Sequence, residues 1–176
     1  MEESNAKGFY QSAMQYGTYL GIFWAIMYIM LFESFSSPMI SMVAMAMFIA
    51  SPFFAGNLAI RYRKTECGNY IKYPQAWTFL FCMYVCATLL SAMTNYIYLD
   101  FVDKGGFIME MHNILSDVTI DPNTNPSMLK QIEAMAEVLS QLTPIKITWS
   151  FLSNNIFCSL LLPPIIAFFV RKNTEI

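Results

Sequence analysis

Four apolar stretches, at residues 13–32, 39–60, 77–99 and 147–170, contain no charged side chain. At a rise of about 1.5 Å per residue, each is long enough to cross the roughly 30 Å hydrocarbon core of a bilayer. Lipid offers no partner to an open backbone N–H or C=O, so each stretch has to be helical. The fold class that follows is all-α: an integral membrane protein with four transmembrane helices. Composition agrees, with 56% hydrophobic and 12% charged residues, against about 25% charged in soluble domains. Residues 1–176 read as a single membrane domain. With so few charges and a net charge of -2, nucleic acid is excluded as an expected partner. The first stretch is not expected to be a cleaved signal, because its leader carries Glu2, Glu3 and Lys7 and its apolar run exceeds an h-region of about 7 to 15 residues.

The charges are segregated by side. Arg61, Arg63, Lys64 and Lys72 face Glu66 alone between the second and third stretches, and Arg171 and Lys172 follow the fourth. Basic loops stay in the cytoplasm, which puts both termini and this loop inside. The long segment between the third and fourth stretches then lies outside. It holds seven acids (Asp100, Asp103, Glu110, Asp117, Asp121, Glu133, Glu137) against Lys104, Lys130 and Lys146, a net of -4. Tyr16, Tyr70, Tyr73, Trp77, Tyr96, Tyr98 and Trp149 fall near the expected interfaces, where amphipathic rings anchor at headgroup depth.

Between the third and fourth membrane helices, about residues 105–143 form an extracytoplasmic amphipathic helical segment. Gly105 and Gly106 break the third helix, after which Phe107, Ile108, Met111, Ile114, Leu115 and Val118 recur at helical steps. A turn at Asp121, Pro122, Asn123, Thr124 and Asn125 precedes a second helix opening at Pro126 and ending at Pro144. Its seam is Met128, Ile132, Met135, Leu139 and Leu142. The partner helix of the same hairpin is the first expected cover for that seam, and another protein the alternative. An acidic polar face argues against lying on anionic lipid.

Within the membrane, Gly17 and Gly21 stand in GxxxG spacing, and Ser51, Ala55 and Ala59 form a second small-residue stripe. Such faces drive helix packing, within the bundle or between copies of the chain. Pro52 and the pair Pro163 and Pro164 are expected to bend their helices. Asn95, Asn154 and Asn155 lie toward the outer side near the level of Glu33, and interhelical hydrogen bonding is their expected use. Adjacent Asn154 and Asn155, about 100° apart on a helix, are not expected to share a neighbour.

No catalytic residue emerges. The four cysteines Cys67, Cys82, Cys86 and Cys158 show no metal or redox spacing, His112 stands alone, and P-loop, GxSxG and HExxH motifs are absent. Asp100 and Asp103, on one helix face just outside the membrane, are the least implausible carboxylate pair, and no basic partner accompanies them. Neither a cofactor nor a metal is indicated. Arg61, Arg63, Lys64 and Lys72, interleaved with Tyr62, Tyr70 and Tyr73, are topogenic charges with the alternative use of gripping lipid headgroups.

The run from Asn57 to Trp77, with its Arg61-Tyr62-Arg63 cluster, Gly68-Asn69-Tyr70-Ile71 step and Gln75-Ala76-Trp77 entry, resembles the cytoplasmic hairpin of a Bacteroidota membrane-protein family. That family is catalogued as domain of unknown function family 4199. The outer helical segment, Pro163 and the basic Arg171-Lys172 tail resemble it too. The resemblance implies a multi-pass protein of the bacterial inner membrane and brings no activity, cofactor or site residue. The expected function is a non-enzymatic subunit or assembly partner of an inner-membrane complex. A homo-oligomeric carrier or lipid-handling protein is the alternative, and an interfacial enzyme on lipid-linked substrates ranks third. Expected partners are membrane lipids and either another membrane protein or further copies of the chain.

Overall fold

The computed structural model describes residues 2–35, 37–120 and 126–172, with side chains for 8–35, 37–116, 131 and 134–172. Its helices are α1 (Glu2–Phe32), α2 (Pro38–Glu66), α3 (Tyr73–Ile97), α4 (Gly106–Ile120), α5 (Pro126–Ser140) and α6 (Pro144–Val170). A 3-10 turn at Glu33–Phe35 extends α1, and a π-helical turn at Tyr98–Asp103 extends α3. The four helices α1, α2, α3 and α6 are long and apolar enough to cross a membrane. The chain is therefore an all-α, four-span protein with a pair of shorter helices between the third and fourth spans.

The spanning helices begin before the apolar stretches, α1 by eleven residues, and one boundary differs. Pro144 does not end the outer helix: α5 stops at Ser140, and Pro144 opens α6 with Thr143 as an extended N-cap (φ -123, ψ 157). Proline is well suited to that first position, where its missing N–H would have had no helical acceptor. The break after α3 falls at Lys104 (φ 49) and Gly105 (φ 93), both in the left-handed region. The turn after α2 uses Gly68 (φ 57) and Asn69 (φ 65), asparagine being the non-glycine residue that best tolerates this conformation.

Helix α3 is the centre of the bundle, packed most extensively on α1 and next on α6. Phe79, Leu80, Met83, Tyr84 and Ala87 on α3 are fully enclosed, sharing one core with Leu20, Trp24 and Tyr28 of α1 and with Ala167 and Val170 of α6. Helix α2 is peripheral. It lies along α1 and touches α3 and α6 only lightly. Its inward stripe is Ala44, Ser51, Ala55, Leu58, Ala59 and Tyr62, while Met39, Met42, Met45, Phe48 and Phe53 face outward. Pro52 and Pro163-Pro164 are accommodated inside helices that run on through them.

The bundle has two distinct ends. At the terminal end, the α2–α3 loop and the tail after α6 are clasped by an antiparallel bridge in which Ile71 and Lys172 exchange backbone hydrogen bonds (3.3 and 3.1 Å). At the hairpin end, the rings of Phe32, Tyr98, Phe107 and Phe151 meet. Phe32 stacks on Tyr98 at 5.8 Å and takes edge contacts from Phe107 at 5.3 Å and Phe151 at 5.6 Å. This cluster fixes the root of α4 to α1, α3 and α6.

Candidate functional site

The hairpin formed by α4 and α5 is rooted firmly and open above. Both carboxylate oxygens of Asp103 lie 3.1 Å from the Phe107 backbone nitrogen, so Asp103 caps α4. Phe107 packs between Phe32 and Phe35. On α5 Leu139 is buried, and Leu142, in the link to α6, packs against the bundle core. Met111, Ile114 and Leu115 of α4 face Met135, Val138 and Leu139 of α5 across a groove of about 540 Å³, with Phe35 and Leu142 at its closed end.

The expected seam is thus divided. Leu142 packs against the bundle core, Leu139 is buried where α5 meets α4, Met135 lines the open groove at 61% exposure, and Met128 and Ile132 lie outside the described side chains, as the turn at 121–125 lies outside the described residues. Val138, absent from the sequence seam, is 63% exposed and lines the groove beside Met135. Helix α5 packs on α4, and Met135 and Val138 stay exposed beside the groove.

At the terminal end, the basic residues separate by role. A guanidinium Nη1–H of Arg63 donates to the Val170 carbonyl at the C-terminus of α6, where helical carbonyls lack partners and a cation is favourable. Arg63 is therefore a cap for α6. Its neighbours Arg61, Lys64 and Lys72 are exposed, and Arg171 lies over the Phe168 ring at 4.3 Å. Burial pushes the Cys67 thiol up from its ordinary value, which disfavours the reactive thiolate.

The small-residue faces are occupied inside the chain. A Cβ placed on Gly17 would come within 2.8 Å of the Cys86 Cβ and of the Met83 carbonyl oxygen, and one on Gly21 within 2.8 Å of Leu90. Both glycines thus admit α3 against α1. Ser51, Ala55 and Ala59 are buried on the inner side of α2.

Between the helices runs a polar seam that the sequence reading missed in large part. Tyr84, Thr88, Ser91 and Asn95 form one buried face of α3, and Thr148, Asn155 and Ser159 one buried face of α6. Tyr28 donates to the Asn155 Oδ1 at 2.6 Å, Ser159 to the Asn155 carbonyl at 2.7 Å, and Trp24 to the Ser51 hydroxyl at 2.7 Å. The Thr88 and Ser159 hydroxyls lie 3.5 Å apart. The Tyr84 hydroxyl, both amide atoms of Asn95 and the Thr148 hydroxyl are buried without a hydrogen-bond partner among the described residues. The three- and four-residue spacing from Tyr84 to Asn95 was the available signal, and it passes unnoticed inside an apolar run.

Two of the three candidate carboxylates are committed to structure. Glu33 accepts the Tyr98 hydroxyl, and Asp103 caps α4, leaving Asp100 exposed. His112 is exposed, and no group of three or more potential metal ligands occurs among the described residues.

Neither a curated protein nor a solved structure matches the chain. The sequence model described as "Protein of unknown function (DUF4199)" matches residues 15–172, from the first membrane helix through the clasped tail. The chain belongs to the DUF4199 family.

Proposed function

We propose that the protein is a non-enzymatic subunit or assembly partner of a complex in a bacterial inner membrane. In this reading the termini and the basic loop are cytoplasmic, and the α4/α5 hairpin presents its groove outside to a membrane-protein partner. The observation that carries it is the open apolar groove on a rigid root, with Met135 and Val138 each more than half exposed. Apolar surface of this kind on a helix pair outside the lipid is covered in a working assembly. The same two helices carry Glu110, Asp117, Glu133 and Glu137 against Lys130 alone, so the segment that fits is an amphipathic helix with a basic polar face.

The test is purification of the tagged full chain from its own membrane, with native mass spectrometry of the intact assembly. A stoichiometric second protein is expected, and it should be lost from a Met135→Asp, Val138→Asp variant that melts as the wild type does. Retention of the partner by that variant would overturn the reading. Orientation is tested separately in a chain lacking its native cysteines. Lys104→Cys should react with an impermeant maleimide added outside, and Lys72→Cys only after the membrane is opened; the opposite pattern reverses the topology.

The lipid-handling alternative keeps support in monomeric form, from a cavity inside the bundle treated next. Its homodimeric form would need another face, because Gly17 and Gly21 lie against α3 within the chain. The interfacial-enzyme reading is weakened by the structural engagement of Glu33 and Asp103.

A further inference from the structure

We infer that the cavity between α1, α2 and α6 is a lateral binding site for an uncharged, membrane-soluble molecule that offers a carbonyl oxygen to Asn155. The cavity encloses about 460 Å³. Its floor is Trp24, Tyr28, Ser51 and Asn155, each more than nine-tenths buried. Its mouth lies between Phe48 and Ile49 of α2 and Phe157 and Leu161 of α6, all at least half exposed on the membrane-facing surface. It exists because α2 leans on α1 and barely reaches α6.

Two observations point to a ligand rather than to a mere packing gap. The first is a donor without an acceptor. Tyr28 occupies the Asn155 Oδ1, and no described residue accepts from the Asn155 Nδ2, although the side chain is only 6% exposed. Inside a bilayer there is no bulk water to take that N–H. Asn154, expected to face elsewhere, lines the same cavity near its mouth, and its amide has no hydrogen bond to any described residue. The departure of α2 makes the cavity wide enough to receive both amides.

The second observation is the absence of any charged side chain from the lining. A phosphate or ammonium brought to this depth would have no counter-charge. Depth narrows the choice further. Asn155 stands eleven residues into the 27-residue α6, about 16 Å from its hairpin-side end at about 1.5 Å per residue. If a hydrocarbon slab of roughly 30 Å is centred on that helix, Asn155 lies about 11 Å inside the slab. Glycerol esters sit at the slab's edge, whereas a neutral ring carbonyl on a prenyl chain is soluble throughout it. Trp24, Tyr28, Phe48 and Phe157 give such a ring flat partners.

The shared chemistry is a carbonyl oxygen on a long apolar body, and the test separates its two sources. Trp77→Phe and Trp149→Phe, both at exposed positions, leave Trp24 as the only tryptophan of three. The full chain in nanodiscs is titrated with menaquinone-4 and, separately, with dioleoylglycerol brominated on its acyl chains, following Trp24 fluorescence. Saturable quenching is expected, with the half-saturation concentration raised at least fivefold by Asn155→Leu. Asn154→Leu, at an exposed position without a hydrogen bond, should raise it about threefold and carries the test should Asn155→Leu fail to fold. Saturation by the quinone alone assigns a ring carbonyl, by the glyceride alone an acyl ester, and by both the carbonyl in general. Quenching that does not saturate, or that saturates identically in the variants, overturns the site.

Discussion

Replacing Gly17 by alanine tests whether the glycine face really closes α1 onto α3. The added methyl would stand 2.8 Å from the Cys86 Cβ and 2.8 Å from the Met83 carbonyl oxygen. One of these is backbone and the other the first side-chain atom of its residue, so neither can swing aside and the two helices must separate. Overpacking of this kind costs about 1–3 kcal/mol, while alanine in a helix interior gains about 1 kcal/mol over glycine. Gly17→Ala is thus expected to range from neutral to about 2 kcal/mol less stable. Gly56→Ala provides the internal reference: its methyl would meet only Ile166 Cγ2 at 3.6 Å, an ordinary contact. It should gain the same propensity term with no clash, so the difference between the two variants isolates about 1–3 kcal/mol of packing. The assay is reversible unfolding in mixed micelles, with oligomeric state followed in parallel. Gly17→Ala as stable as Gly56→Ala would refute the α1–α3 placement, and a change of oligomeric state without loss of stability would return the glycine face to a contact between copies.

Three further substitutions read out other features. Tyr84→Phe removes a buried hydroxyl that has no partner among the described residues, so it should be neutral or stabilising by up to about 1–3 kcal/mol; a loss above 1 kcal/mol in the same assay would show that the hydroxyl is engaged. Asp103→Ala removes the cap of α4 and should destabilise the hairpin root by about 1 kcal/mol, seen as faster limited proteolysis between α4 and α5, with Asp103→Asn close to wild type. Arg63→Met removes the cap on Val170, a charged hydrogen bond of about 1.5–3 kcal/mol, and should speed amide exchange at Arg171 and Lys172; unchanged exchange there would return Arg63 to a purely topogenic role.

The four spans were legible because lipid selects on composition. A charge-free run of about 20 residues has one viable conformation in hydrocarbon, whatever it touches. The same physics hides how the spans are arranged. Lipid and a protein core are equally apolar, so the outward Met42, Met45 and Phe48 of α2 look no different in sequence from the enclosed Phe79, Leu80 and Met83 of α3. The looseness of α2, and with it the cavity, was therefore out of reach. Small residues did signal close approach at Gly17 and Gly21, but a small surface does not name its partner, and α3 answers only in three dimensions. The outer hairpin shows the converse. Its periodicity was strong enough to place the break at Gly105 and the start at Pro126, but it did not show that Leu142 would turn to the bundle core.

The polar seam carries a different lesson about where function is hidden in such a chain. Asn155 reads in sequence as one of two adjacent amides in an apolar run, and its partner Tyr28 lies 127 residues away. In water that bond would contribute little net stability, because both groups would otherwise bond to solvent. In hydrocarbon, leaving either group bare is the costlier state, so the pair forms wherever the bundle allows. The side of Asn155 left over after Tyr28 is satisfied is subject to the same pressure. Elsewhere in the seam, Ser159 and Ser91 are satisfied by carbonyls on their own helices, and the unpartnered atoms of Tyr84, Asn95 and Thr148 are fully enclosed. The Asn155 amide is held at the floor of a cavity that opens between two helices in weak contact, with Asn154 beside it. That pairing of an unspent donor with lateral access separates a binding site from ordinary interhelical glue, and it turns on the Asn155 side chain.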